Sequence, residues 1–339
     1  MEKPLKLKDI GEKEIIRTII KPLFNPDNLL NLAGDDCAVI ENPSGYALSL
    51  TTDRIPADFI SFKLGLINYF QLGKMLVAFN ISDILSSGGI PIGLLLNLSF
   101  NEEFLLNDLE EILNGIKEAC SEYDCKILGG DLSDSNEMNL SATAIGLNKG
   151  KILYRRQAKV GDLVYCSNFL GLACSALKYF MEVKAKGLNL LNTEEEFLLS
   201  QFISPKLKFR LSQELSKSNS RITAMDNTDG AGQTLLELSE INQLGIVIYP
   251  DQIPIHPISI RIASFLEVNP IDIALGFGAD FQLIGTHESK SEIMNLKKNV
   301  DSQISIIGET IMKEGLWISH QEKLRAYVPE AWNYYKKEK

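Results

Sequence analysis

Apolar residues follow two periods along this chain, and the first 150 residues alternate between them. Spacings of three and four residues predict amphipathic helices, whereas short apolar runs bounded by Gly, Pro, Asn or Asp predict strands. In this half the predicted helices begin at Gly11 and cover 66–87 and 102–123, and the predicted strands are 37–40, 46–51, 94–100, 126–128 and 139–147. Helices alternating with strands in this way predict an α+β fold with mixed sheets.

The order of elements changes near Gly150, where glycine and lysines interrupt the apolar pattern. We place a domain boundary there, which divides the chain into residues 1–150 and 151–339. The second half has predicted strands at 163–166 and 245–249 and predicted helices at 170–183, 205–216, 232–241 and 257–265. A glycine-rich turn at 276–280 follows them. The sequence therefore predicts two α/β domains.

Composition and charge narrow the classes of partner. The 339 residues are 45% hydrophobic and 23% charged, as in ordinary folded domains, and their formal net charge is −10. This excess of negative charge argues against nucleic acid or an anionic membrane as the partner. An acidic protein that handles phosphate groups needs metal cations to reverse the local sign of the charge.

Cysteine and histidine usage gives no sign of a zinc site or of imidazole catalysis. The five cysteines include one close pair, Cys120 and Cys125, with no second pair to complete a zinc site. We interpret them as reduced, mostly buried thiols. The three histidines lie far along the chain from its acidic turns. Without an apolar signal core or an apolar run of about 18 residues, the protein is expected to be cytoplasmic.

Acidic residues recur where apolar segments end. The turns are Asp35-Asp36, Thr51-Thr52-Asp53, Ser82-Asp83, Gly129-Gly130-Asp131 and Asp226-Asn227-Thr228-Asp229. Each alone is more often a solvated turn than a site. Together they offer carboxylates, hydroxyls and glycine amides without His or Cys, a hard-oxygen set that favours Mg²⁺ or Mn²⁺. If the turns converge, the expected chemistry is phosphoryl transfer or ATP-dependent activation.

Other phosphate-binding motifs are missing from the sequence. There is no Gly-x-x-x-x-Gly-Lys-Ser/Thr loop and no kinase His-Arg-Asp loop. Gly276 and Gly278 begin like a dinucleotide loop, but the third glycine is missing. A calcium loop at 226–232 is rejected because Gly230 occupies its fifth position, where Asp or Asn is needed.

The order and spacing of the acidic motifs resemble those of the thiamine-monophosphate kinase family, within the aminoimidazole ribonucleotide (AIR) synthase-like superfamily. The motifs are Gly-Asp-Asp-Cys-Ala at 34–38, Thr-Thr-Asp at 51–53, Asn-Ile-Ser-Asp at 80–83, Gly-Gly-Asp at 129–131, Arg-x-x-Ala-Lys-x-Gly-Asp at 155–162 and Asp-x-Thr-Asp-Gly at 226–230. The resemblance runs from Gly11 to about Tyr335. Any one motif is weak evidence, whereas the ordered set is specific.

This resemblance implies a kinase that transfers the γ-phosphoryl group of ATP to thiamine monophosphate. The implied Mg²⁺ ligands are Asp36, Asp53, Asp83, Asp131, Asp226 and Asp229, assisted by Thr51 and Thr52, and the implied ATP contacts are Gly130, Asp131, Arg155 and Thr228. We assign catalytic roles to Asp53, Asp131 and Asp229. The family fold implies an N-terminal domain that pairs with a second copy into an intersubunit β-barrel, a C-terminal α/β domain and a homodimer.

Departures from the family pattern concentrate on the acceptor side. Ile60 stands where the family has a histidine, and Ala279 stands where it has a glutamate that contacts substrate. Trp332 keeps a flat ring that either stacks on a thiamine-like heterocycle or packs as a tail aromatic. The alternatives to a thiamine-monophosphate kinase are a paralogous ATP-dependent phosphotransferase or synthase acting on another small substrate, and a non-catalytic ATP-binding scaffold.

Overall fold

The structure is a computed structural model. It describes residues 6–20, 23, 30, 35–41, 45–55, 58–300, 303–321 and 323–329. Gly34, the 42–44 turn and the 331–335 segment with Trp332 therefore lie outside the described residues.

The first half folds around a five-stranded sheet. Its elements are α1 (Leu7–Ile10), α2 (Glu12–Ile15), β1 (Ala38–Glu41), β2 (Ala47–Arg54), α3 (Ile60–Lys63), α4 (Tyr69–Ser86), β3 (Ile90–Phe100), α5 (Leu106–Glu122), β4 (Lys126–Asp134) and β5 (Asn139–Asn148). The strand order is β1-β2-β5-β3-β4. Only the β3–β4 pair is parallel. This arrangement confirms the predicted mixed α+β class.

The second half folds around a seven-stranded sheet. Its elements are β6 (Leu163–Ser167), α6 (Leu172–Lys178), α7 (Asn192–Ile203), α8 (Phe209–Lys217), β7 (Met225–Asn227), α9 (Ala231–Asn242), β8 (Gly245–Ile248), α10 (Pro257–Leu266), α11 (Pro270–Ala274), β9 (Gln282–His287), α12 (Lys290–Asn299), β10 (Ile304–Ile311), β11 (Gly315–His320) and β12 (Lys323–Ala326). The strand order is β12-β11-β8-β10-β6-β9-β7. The β8–β11 pair is parallel, and the other pairs are antiparallel.

Helix α4 is the central element. It begins at a capping box in which Asn68 Oδ1 accepts from the Gln71 amide (3.0 Å) and Gln71 Oε1 accepts from the Asn68 amide (2.7 Å). Two glycines let α4 and α5 approach closely, since a Cβ at Gly73 or Gly115 would lie about 2 Å from a carbonyl oxygen of the facing helix. Twelve of the 18 residues of α4 are buried, so a polar group late in this helix lies in the interior.

Helix α4 also joins the two halves. Ser212 on α8 donates its hydroxyl to the Leu85 carbonyl oxygen at 2.5 Å. Ser82 donates to Asp226, 144 positions further along the chain, at 2.6 Å. The carboxylates of both halves are thereby brought to one end of α4.

One predicted strand is confirmed as a strand but is wrong in its length and burial. The segment 126–128 is expected to be a short buried strand, yet β4 runs through Gly129-Gly130-Asp131 to Asp134 at the edge of the sheet, and all nine of its residues are exposed. Its apolar residues do mark a strand, but nothing in the described protomer covers it. Among the described helices, none combines the length and apolar character needed to cross a lipid bilayer.

Candidate active site

Strand β2 delivers its polar end to α4. Ala47 and Ser49 are buried on alternate positions, so Thr51 and Asp53 continue toward the same side of the strand. Thr51 Oγ1 donates to Asp83 Oδ2 on α4 at 2.6 Å. The Asp53 amide donates to Asn80 Oδ1 at 3.1 Å. Because two hydrogen bonds fix the strand against the helix, these side chains meet in one place.

The second half supplies Asp226 on β7 and Asp229 in the turn before α9. Gly230 has φ +102°, and a Cβ there would lie 2.3 Å from the Gly276 carbonyl oxygen, so the turn needs glycine. Asp226 is 3% exposed, and its Oδ2 accepts from Ser82. This local geometry places Asp226 beside Asp83 although 143 positions separate them in sequence.

These residues border a polar cavity of about 290 Å³. Its lining residues are Asp35, Asp36, Thr51, Thr52, Asp53, Asp83, Arg155, Met225, Asp226, Thr228, Asp229, Gln233, Thr234 and Glu237. Seven of them are carboxylates and one, Arg155, is basic. Such an imbalance of buried charge calls for added cations, because carboxylates held together repel one another. We name this space the carboxylate cavity.

Three carboxylates in this cavity form a candidate metal centre. Ligand oxygens of Asp36, Asp83 and Asp226 all lie within 4.8 Å of one another. Ser86 Oγ donates to Asp36 Oδ2 at 2.5 Å, and the Arg155 guanidinium pairs with Asp36 Oδ1. A set of carboxylate oxygens, with hydroxyls that orient them, suits a hard divalent cation such as Mg²⁺.

Burial and mutual repulsion raise the pKa values of these acids. The pKa of Asp53 rises to about 7, first because the group is buried and then because Asp226 and Asp229 lie near it. Burial, followed by the charges of Asp226 and Asp53, raises the pKa of Asp83 well above its usual range. Burial also raises the pKa of Asp226. Without a cation, the cluster therefore retains protons near neutral pH.

Asp131 and Gly130 lie apart from this cavity in the described protomer. Asp131 is paired with Asn97, which is paired with Ser141, which in turn is paired with Arg54. Paired residues project to one face and successive residues to opposite faces, so Asp131 lies on the face away from Asp53. Three strand spacings separate β2 from β4, or about 14 Å.

A second, mostly apolar cavity adjoins the first. It measures about 90 Å³ and is lined by Asp58, Phe59, Ile60, Ser61, Met75, Phe79, Leu177, Phe202, Thr228, Asp229, Phe277, Gly278 and Ala279. Thr228 and Asp229 border both cavities. Ile60 and Ala279, the predicted acceptor positions, both line this one. We name it the apolar cavity.

Three residues at or beside the carboxylate cavity receive no role from the sequence, namely Ser82, Ser86 and Asp35. Ser82 and Ser86 flank Asp83 on α4, and their hydroxyls orient Asp226 and Asp36. Asp35 Oδ1 accepts from the Arg155 amide at 2.8 Å and so fixes the 155 turn. The spacing of Ser86 from Asp83 could have identified Ser86, since residues three apart share a helix face, whereas the position of Ser82 directly before Asp83 gives no such signal.

The chain is similar to known proteins over most of its length. The family model "AIR synthase related protein, N-terminal domain" matches residues 34–148. The thiamine-monophosphate kinase of Pyrococcus horikoshii is 28% identical over 331 residues, covering 96% of each chain. That of Methanocaldococcus jannaschii is 29% identical over 330 residues, covering 92% of this chain and 97% of the relative.

A solved structure, "AaThiL complexed with AMPPCP and TMP", matches with a TM-score of 0.80 and 25% identity, covering 98% of this chain and 99% of the other. This chain carries an AIR synthase related N-terminal domain and is similar over nearly its whole length to the thiamine-monophosphate kinases, as its ordered acidic motifs predict.

Proposed function

We propose that this protein transfers the γ-phosphoryl group of ATP to thiamine monophosphate, giving ADP and thiamine diphosphate. The observation that carries the proposal is that the carboxylate cavity and the apolar cavity meet at Thr228 and Asp229. One space suits metal-bound phosphates, and the other suits a flat organic ring. An acceptor lying across both would have its ring in the apolar cavity and its phosphate in the carboxylate cavity, and phosphoryl transfer needs that phosphate close to the γ-phosphoryl group.

The carboxylate cavity would hold the cations that offset repulsion between the two phosphate-bearing substrates. Two polyanions must approach, and at ~4 Å each pair of unit charges repels by on the order of 4 kcal/mol at an effective dielectric constant near 20. Asp36, Asp83 and Asp226 would hold Mg²⁺, which when bound supplies positive charge to the phosphate oxygens. Asp53 and Asp229 extend this acidic set, and Arg155, which pairs with Asp36, is the one basic side chain among the described lining residues and our candidate contact for the ATP phosphates.

The acceptor needs no strong general base. A phosphate monoester carries about −1.5 to −2 charge at pH 7 and already presents a nucleophilic oxygen. That oxygen attacks the γ-phosphorus, and the bond to the β–γ bridging oxygen breaks as ADP leaves. Orientation and electrostatics supply the catalysis. No histidine lines either cavity among the described residues, which fits this chemistry.

The charge of the apolar cavity favours a ring that is neutral or cationic. Phe59, Phe79 and Phe277 offer aromatic surfaces for a flat ring. Asp58 and Asp229 contribute negative charge, and no described lining residue is basic. The thiazolium ring of thiamine is a cation, so it fits this field better than an anionic ring would.

A direct assay tests the proposal. Purified protein is incubated with Mg-ATP and thiamine monophosphate, and thiamine diphosphate is followed by chromatography. We expect one diphosphate formed per ATP consumed. If ATP binds and no diphosphate appears, the proposed acceptor is wrong and the paralogous phosphotransferase becomes the better description. The paralogous phosphotransferase is favoured by one observation, which is that Ile60 and Ala279 line the apolar cavity where the family has a histidine and a glutamate. If the protein does not bind ATP, both the kinase proposal and the paralogous phosphotransferase are wrong.

The Ala279→Glu variant is expected to alter acceptor binding more than ATP binding. A glutamate there places a carboxylate in the apolar cavity, so we expect KM for thiamine monophosphate to change by roughly 10-fold or more. KM for ATP should stay within about 2-fold, because Ala279 is not part of the carboxylate cavity. Ala185→Glu, at an exposed position, is the control. An effect confined to ATP would contradict this division of the site.

We also propose a cytoplasmic homodimer in which the five-stranded sheets of two copies pair into a β-barrel. The exposed apolar side chains of β3 and β4 support this proposal; they are Ile92, Leu95, Ile127, Leu128 and Leu132. Exposed apolar side chains on the edge strand β4 and its neighbour β3 make a surface that another chain would cover. The roles of Gly130 and Asp131 at nucleotide phosphates stay predictions, since both residues lie on β4, away from the carboxylate cavity of their own protomer. The domain boundary at residue 150 stays a prediction.

Leu132→Glu is expected to dissociate this dimer. Leu132 is 64% exposed, so a glutamate is tolerated by the protomer but places a charge in the proposed interface. Sedimentation should show twice the chain mass for the wild type and a single chain for the variant. Leu191→Glu, at a residue that is 69% exposed on α7's N-cap, should stay dimeric. A monomeric wild type would overturn the proposal.

A further inference from the structure

The apolar cavity is lined by one buried hydroxyl that no described residue satisfies. Ser61, on α3, is 2% exposed, and its Oγ has no hydrogen-bond partner among the described residues. By contrast, the hydroxyl of Thr51, which lines the carboxylate cavity, donates to Asp83 Oδ2 at 2.6 Å. Buried hydroxyls are usually paired, so an unpaired one bordering a cavity marks a place where a ligand completes the bond.

The surroundings of Ser61 define what that ligand is. Phe59 and Phe79 line the same cavity and make an edge-to-face contact with ring centroids 6.0 Å apart. The cavity volume, about 90 Å³, is on the scale of a single aromatic ring. A serine hydroxyl both donates and accepts, so it can bond a ring nitrogen or a ring amino group. A hydrocarbon ring would fill the same space and leave the hydroxyl unpaired.

We propose that Ser61 Oγ hydrogen-bonds a heteroatom on the acceptor's ring and thereby selects a nitrogen heterocycle over a hydrocarbon of the same shape. This inference rests on the proposed function for the identity of the acceptor. A site built to hydrogen-bond its substrate discriminates strongly against an analogue without the bonding atom. Ser61 is then a specificity-determining residue of the acceptor subsite. If Ser61 served only the fold, it would be a small side chain packed beside the phenylalanine rings, and its hydroxyl would not affect substrate binding.

Kinetics of Ser61→Ala separate these two roles. We expect KM for thiamine monophosphate to rise roughly 10-fold and KM for ATP to stay unchanged. The melting temperature should not fall, because the variant removes an unpaired buried polar atom. Ser239→Ala is the control; this serine is 1% exposed, lines neither cavity and donates to the Leu244 carbonyl oxygen. It should lose stability with both KM values unchanged.

A fragment experiment keeps the test independent of phosphoryl transfer. 4-Amino-2-methylpyrimidine and toluene are titrated into the wild type and Ser61→Ala, and binding is read from chemical shifts. We expect the wild type to prefer the pyrimidine and the variant to lose that preference by roughly 10-fold.

The two failures are distinguishable. If the wild type makes thiamine diphosphate but Ser61→Ala keeps its acceptor KM and fragment preference, the Ser61 proposal is wrong and the kinase proposal stands. If no diphosphate forms while the pyrimidine preference depends on Ser61, the acceptor is wrong and the role of Ser61 stands. If the wild type shows no preference for the pyrimidine, the Ser61 proposal is overturned.

Discussion

Asp53→Asn is expected to lower the turnover of ATP and acceptor by roughly 10³-fold while making the metal-free protein more stable. Asparagine has the shape of aspartate but no charge, so the cavity holds less firmly the Mg²⁺ that offsets phosphate repulsion. Burial and the charges of Asp226 and Asp229 raise the pKa of Asp53 to about 7. The ionised group is therefore costly in the folded protein, and its removal relieves that cost.

Opposite signs for activity and stability make this prediction specific. A residue that serves only the fold would lose activity and stability together. Steady-state turnover and thermal denaturation in EDTA at pH 8 measure the two effects, and the melting temperature should rise by several degrees. Asp251→Asn, at an exposed residue after β8, should change neither. If Asp53→Asn turned over at the wild-type rate, Asp53 would have no role in the active site.

The acidic turns were recognisable in the sequence because each is a short local pattern. An apolar run that ends in a carboxylate places the charge at the end of a strand or helix, and such ends meet at sheet edges. Asp36, Asp53, Asp83, Asp226 and Asp229 indeed border one cavity. Their shared motif order with a known family made the same prediction by a second route.

The residues that escaped prediction depend on tertiary contacts without a local signal. Ser61 is unremarkable in sequence, and only its burial beside the phenylalanine rings gives its hydroxyl a role. Asp131 is the opposite case, because the sequence predicted a role for it that its position in the protomer does not match. Its Gly-Gly-Asp motif is typical of a phosphate site, yet strand register carries it to the other face of the sheet. Register depends on pairing between distant strands, which periodicity along one segment cannot give.

The missed elements of the second half have a similar cause. Strand β9 precedes helix α12, strands β10 to β12 are joined by short turns, and these four strands contain Gly, Ser, Thr and His as well as branched residues. Their apolar pattern is weak because neighbours on both sides of the sheet determine their burial. The long helices α4 and α9 were predicted because their periodic apolar faces extend over several turns.

Mg²⁺ is expected to stabilise the protein more strongly as the pH rises from about 5.5 to 8. Asp53 has a pKa of about 7 in the fold, above the ordinary carboxyl value of 3.8 that applies when the chain is unfolded. Between these values the folded protein keeps a proton that the unfolded chain has lost, so metal-free stability falls as the pH rises. Burial shifts the pKa of Asp83 and Asp226 in the same direction. Mg²⁺ competes with those protons and therefore binds best once they have left.

Paired thermal melts with Mg²⁺ and with EDTA measure this effect at each pH. At about 100 times its Kd, a ligand adds about 2.7 kcal/mol, which is several degrees for a chain of this size. Asp280 is buried against the start of α6, and its pKa is raised to about 6. It therefore also lowers metal-free stability as the pH rises. For this reason the informative quantity is the change in melting temperature caused by Mg²⁺, not the melting temperature itself. Asp53→Asn should flatten the pH dependence of that shift. An equal shift at both ends of the range would show that the cation binds away from these buried acids.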